Sequence, residues 1–240
     1  MTEAFTSSEG MQSQRRAQAP SSPSSRHRLG AERLLVGGIL AGPLFLVVVI
    51  AQMMFRTGFD PKQHPISLLS VGTGGWVQIT NFVVAGTLIV CCAAGARRLL
   101  RGSRAGTWGP ILLGLTGLAF IWGGAFTSDP SLGFPPGTPE GIPDQQSWHS
   151  ALHQVGPVVA PIAFAAACLV FARRFLGMQR PGWALYSITT PIVAFVLTIR
   201  ATSGDEFDFR FLLVGFTVLL AWLAALATQL RSSEHTDSAE

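Results

Sequence analysis

Six stretches of this 240-residue chain carry almost no charge, and polar segments separate them. The first is "LLVGGILAGPLFLVVVIAQMMF", Leu34 to Phe55, and the second is "GWVQITNFVVAGTLIVCCAAGA", Gly75 to Ala96. The third is "TWGPILLGLTGLAFIWGGAF", Thr107 to Phe126. The fourth runs from about Trp148 to Phe171, the fifth from about Gly182 to Ile199, and the sixth from about Phe211 to Leu230. Each is close to the ~20 residues that cross a bilayer as a helix. Backbone in lipid must satisfy its own hydrogen bonds, and a helix does so within one segment. The pattern therefore predicts an all-α fold, an integral membrane bundle of six transmembrane helices. The fifth run is the weakest, because Pro191 interrupts it and Ser and Thr are frequent. Neighbouring helices can satisfy the carbonyl that a proline frees, so it is kept as a span. Small residues in "GGILAG", "GLTGLAF" and "GGAF" predict close helix packing.

Composition agrees with a lipid environment. Only 12% of the residues are charged and 48% are hydrophobic, whereas a soluble domain carries about 25% charged residues. The net charge of +4 comes from arginines between the apolar runs; Lys62 is the only lysine. With six spans, Arg26, Arg28, Arg33, Arg97, Arg98, Arg101, Arg104, Arg173, Arg174, Arg180 and Arg231 all fall on one side. Asp60, Asp129, Glu140, Asp144, Asp205, Glu206 and Asp208 fall on the other. Positive charge stays inside, so both termini are expected in the cytoplasm. An odd number of spans would break this agreement. No basic stripe with interleaved aromatics is present, which sets nucleic-acid binding aside. Arginine in place of lysine, with many Ala and Gly, points to a GC-rich bacterial genome. A bacterial cytoplasmic membrane is then the expected location, and membrane lipid the expected neighbour.

The ends and the cysteines add little chemistry. Residues 1–32 are polar and predict a disordered tail, and residues 231–240 form a short C-terminal tail. "SQRRAQAP" holds a twin arginine, but no apolar stretch follows directly, which argues against an export signal. The first apolar run is too long for a cleaved signal peptide and is expected to stay as an anchor. Cys91, Cys92 and Cys168 lie within apolar runs, as small fillers of helices rather than a disulfide framework.

The chemistry-bearing residues gather in the loops of the acidic side. "SWHSALH" places His149 and His153 four residues apart at the start of the fourth span. That spacing is about one helical turn, so both imidazoles are expected on one face. His64 lies before the second span with Ser67 and Ser70 behind it, and Asp129 follows the third span. If the helix ends meet, Asp129, His149, His153 and His64 form a plausible zinc set of nitrogen and carboxylate ligands. A closed set would be structural. An open position would hold a water activated for hydrolysis of a lipid-like substrate, with His64 as base and Ser67 as a further catalytic group. The same residues also suit hydrogen-bonded structural roles or pH sensing. Arg200 ends the fifth span on the acidic side, where it would pair with nearby acids or bind an anionic head group. Gln78 and Asn81, in the second span, would link helices or line a cavity. No nucleophile elbow accompanies Ser67 or Ser70.

The blocks "GFDPKQHPISLLSVGTGGWVQITNF", "GGAFTSDPSLGFPPGTP" and "HSALHQVG" resemble, in this order, the bacterial membrane family called domain of unknown function 998. The resemblance runs from about Leu34 to Leu230 and implies a six-helix membrane fold without an assigned activity. A more distant similarity is to the ceramidase and adiponectin-receptor-like membrane hydrolases, which hold an intramembrane zinc with Ser, Asp and three His. That similarity implies such roles for Ser67 or Ser70, Asp129, His149, His153 and His64. It departs from that superfamily in having six helices rather than seven, and in placing the histidine pair on the fourth helix rather than the last. The sequence thus leaves two expectations: a zinc hydrolase, or a non-enzymatic membrane component such as a partner subunit, sensor or small-solute carrier.

Overall fold

The computed structural model describes residues 23–203 and 207–236. Six helices in it are long and apolar enough to cross a membrane, in the places the hydrophobic pattern predicts. Helix α1 covers Pro23–Phe55, α2 Gly75–Leu99 and α3 Ala105–Ala125. The fourth span is built from two pieces, α4 (Trp148–His153) and α5 (Val155–Gly177). Helix α6 covers Pro181–Thr202 and α7 Arg210–Thr236. A short 3-10 helix, Ile66–Ser70, lies in the loop between α1 and α2.

Each span packs on the one before it, and α7 packs back on α1 to close the ring. Side chains fill the axis. On the half away from the chain termini, Phe45 of α1, Phe82 of α2, Phe120 of α3 and Phe216 of α7 form an aromatic cluster with ring centroids 5.5–6.4 Å apart. Toward the terminal face, Trp222 of α7 lies edge-on to Phe164 and Phe171 of α5. Its indole Nε1 donates to Ser187 Oγ of α6 at 3.0 Å. Lipid tails are as apolar as the core, so burial of apolar surface does not by itself hold these helices together; close packing does. Helices α2 and α3 meet at Gly86 and Gly117. A Cβ on Gly117 would stand 2.6 Å from the Gly86 carbonyl oxygen, and one on Gly86 would overlap the Gly117 carbonyl.

Two elements differ from the sequence reading. Helix α1 already begins at Pro23, so part of the expected disordered tail is helical. Its early turns have a surface to pack on: Ala31 is buried, and its carbonyl lies against Gly95 of α2. Residues 1–22 and 237–240, with Gly204, Asp205 and Glu206, lie outside the described residues. The fourth span is broken at Gln154, where one continuous helix was expected. Pro157 explains the break. It has no N–H to give to the His153 carbonyl, and its ring crowds that carbonyl, whereas the first turn of a new helix tolerates it.

Candidate functional site

The loops away from the termini are pinned onto the helix ends, and His64 is a central joint. It is buried, with Phe59 and Phe134 rings at 5.3 and 5.4 Å. The Asp60 backbone N–H donates to Nδ1 at 2.9 Å, and Nε2 lies 2.8 Å from the Leu132 carbonyl oxygen. A carbonyl can only accept, so Nε2 carries the proton and Nδ1 is the acceptor. Both ring nitrogens are therefore engaged. Arg56, just past the end of α1, completes the joint. Its guanidinium donates to the Leu69 carbonyl at 3.2 Å and the Val71 carbonyl at 2.6 Å, and it lies 5.3 Å from the Phe134 ring centroid. Burial pulls its pKa down from the ordinary arginine value. Phe134, fully buried, is thus clamped between the first loop and Arg56. The sequence reading passed over Arg56. Its only signal is the one that marked Arg200, an arginine on the face poor in them.

Asp129 and His149 meet at the start of α4. Ser147 caps that helix, accepting from the Ser150 backbone N–H at 3.2 Å. Its own N–H and hydroxyl donate to the two Asp129 carboxylate oxygens at 2.7 and 2.6 Å. These bonds, with the nearby His149, hold the Asp129 carboxyl below the usual carboxylate range. His149 Nδ1 stands 3.1 Å from Ser147 Oγ. The serine's one proton goes to Asp129, so the imidazole must donate and cannot serve as base for this hydroxyl. His149 is exposed and Ser147 half-buried, so the cluster is a wet helix cap.

His153 is different. It is 2% exposed, and its Nδ1 lies 2.7 Å from the Phe126 carbonyl oxygen at the end of α3. A carbonyl can only accept, so Nδ1 carries a proton, and in the neutral ring Nε2 is the acceptor. That nitrogen is buried and has no partner. His153 lines a cavity of about 80 Å³ near the loop face of the bundle, with Phe82, Phe120, Gly123, Ala160 and Phe216. The remaining wall includes Ser67, on the 3-10 helix, and Pro157. Among the described residues, no Asp, Glu, Lys or Arg lines it. An unpaired acceptor in such a place costs free energy, on the order of 1–3 kcal/mol.

The expected site residues therefore fall in separate places. Asp129 and His149 share the cap of α4, His153 and Ser67 line the cavity, and His64 binds loop to loop. The histidine pair does not face one way. His149 turns to the loop while His153 enters the bundle. Among the described residues, no group of three or more His, Cys, Asp or Glu side chains is placed to hold a metal ion. Arg200 is exposed and lies over the Phe211 ring at 5.5 Å, while Arg210 makes the bidentate pair with Asp208. Ser70 donates its hydroxyl to the Ser67 carbonyl at 2.5 Å. Gln78 and Asn81 link helices: Gln52 of α1 donates to Gln78 at 2.7 Å, and Asn81 donates to the Phe45 carbonyl at 3.1 Å.

Fold and site together define a multi-pass helical membrane protein with an apolar cavity near its loop face. Residues 39–229 match the family described as "Protein of unknown function (DUF998)". The match covers most of the chain, and the chain belongs to that family, as the sequence blocks anticipate. No curated protein and no solved structure matches the chain.

Proposed function

We propose that this chain is a non-enzymatic component of a bacterial cytoplasmic membrane that holds a lipid-like molecule in the cavity beneath its extracytoplasmic loops. One observation carries the reading: His153, whose buried Nε2 has no hydrogen-bond partner, lines a cavity whose wall is otherwise largely apolar. Apolar pockets with a few convergent polar groups are the usual form of small-molecule sites. The hydrolase reading is less well supported. Its zinc ligands lie apart, and His64, its expected base, has both nitrogens in use. The carrier form of the alternative is also weakly supported, because aromatic side chains fill the bundle axis.

The test is to purify the protein in a mild detergent, extract it with organic solvent and identify the apolar species by mass spectrometry. Ala160→Leu serves as the comparison, since it fills the cavity without touching the loop joints. A stoichiometric amphiphile in the native protein, absent from Ala160→Leu, is the expected result. Identical lipid traces from both proteins would overturn the proposal.

A further inference from the structure

We infer that the cavity takes the acyl chain of an anionic phospholipid from the extracytoplasmic leaflet, entering between the outer halves of α5 and α6, with its phosphate held by Arg200. The inference rests on the lipid-binding reading above and names the lipid and its route.

The route follows from where α5 and α6 stop covering each other. Residues three and four apart share a helix face, so Phe175, Phe171, Cys168, Phe164, Pro161 and Pro157 form one strip along α5. In the inner half the strip is buried, with Phe175 on Trp183 of α6 and Phe171 and Phe164 on Trp222 of α7. In the outer half the same strip is exposed, at Pro161 and Pro157. The strip of α6 that starts at Trp183 changes in the same way: Thr190 is buried and Val193 is 44% exposed. Beyond that level α6 leans on α7. A Cβ on Gly215 would stand 3.5 Å from the Ala194 carbonyl oxygen, and the Asp208 N–H donates to the Ala201 carbonyl at 3.0 Å. Pro161 and Pro191 interrupt the two helices near this level, where a proline ring crowds the preceding turn. The outer halves are thus parted by an apolar seam. The cavity lies behind it: Pro157 and Ala160 of α5 and Leu212 and Phe216 of α7 line it, and α6 lends no residue. A chain in the seam reaches the cavity past Pro157 without leaving an apolar surface.

The head group follows from charge. Arg200 stands on the last turn of α6, at the outer end of the seam, and is exposed. Its guanidinium lies 5.5 Å from the ring of Phe211, the neighbour in sequence of Leu212 in the cavity wall. Among the described residues no acidic side chain pairs with it; Asp208 is taken by Arg210. Asp205 and Glu206 lie outside the described residues. An arginine at the membrane surface attracts anionic head groups, and its planar fork of donors matches phosphate oxygens. Cation and seam together therefore fit a molecule with an anionic head and a hydrocarbon chain.

Two probes with the same chains separate head from tail: dioctanoylphosphatidylglycerol and dioctanoylglycerol. Each is titrated into the full chain in a non-ionic detergent, and affinity is read from the saturable rise in melting temperature. The phosphatidylglycerol should bind roughly tenfold more tightly. Arg200→Gln should remove that preference and leave dioctanoylglycerol binding unchanged. Val193→Trp, which fills the seam from a lipid-facing position, should weaken both probes, whereas Ile111→Trp, at an exposed position on α3, should weaken neither. Equal binding of the two probes, or a preference that survives Arg200→Gln, would overturn the anionic head group and leave the cavity reading standing. Native affinity in Val193→Trp would overturn the seam as the route. Absence of saturable binding by either probe would overturn the lipid-binding reading and this inference with it.

Discussion

At His64 and His153 the same side chain is used in opposite ways, and one hydrogen bond makes the difference. His64 gives a proton to Leu132, takes one from Asp60 and has no capacity left. His153 donates from Nδ1 to the Phe126 carbonyl and leaves Nε2 without a partner. Replacing His64 should therefore act on stability. His64→Ala removes both bonds and the ring between Phe59 and Phe134, and is expected to cost about 2–4 kcal/mol. The check is thermal unfolding in detergent, in which an unchanged midpoint would refute the assignment of His64 as a joint. The sequence marked both residues as candidates, because a histidine beside a membrane span is conspicuous. It did not tell them apart. That distinction depends on backbone carbonyls at Leu132 and Phe126, some seventy and some thirty residues away, and a carbonyl leaves no trace in the identity of a residue.

At the scale of elements, span positions were legible and span interiors only in part. The predicted starts at Gly75 and Trp148 coincide with the helix starts observed, because charge and turn residues stop an apolar run where the chain meets water. The break at Gln154 was also open to reading, since Pro157 stands in the sequence; the expected single helix overlooked it. Small-residue runs announced close packing without naming partners. The structure names Gly86 with Gly117. Gly117→Val should push α2 and α3 apart and lower stability by about 2 kcal/mol or more, because the obstacle is backbone rather than a movable side chain. Gly114→Ala, on the same helix, where an added methyl would make only an ordinary 3.9 Å contact with the Ala93 side chain, should be close to neutral. Thermal melting of the two variants side by side decides the matter, and equal losses would show that the contact is not tight.

For the whole molecule, with six membrane-length helices the start of α1 and the end of α7 lie on one face, together with the arginines of the α2–α3 and α5–α6 connections. We expect that face to be cytoplasmic. In a variant with its native cysteines replaced, a cysteine at Glu140 should react in intact cells with a membrane-impermeant maleimide, and one at Gly102 only after lysis. The reverse pattern would invert the topology and move the cavity to the inner leaflet. Fold class, span count and the placement of charge were fixed by composition along the chain, because the bilayer acts on each segment by its own hydrophobicity and length. Which polar groups meet was decided only by the tertiary structure. Asp129, His149, His153 and His64 sit near one face in sequence terms, yet packing distributes them among a helix cap, a cavity and a loop joint. Hydrogen bonds act over about 3 Å, and one turn of helix or one proline moves a side chain farther than that.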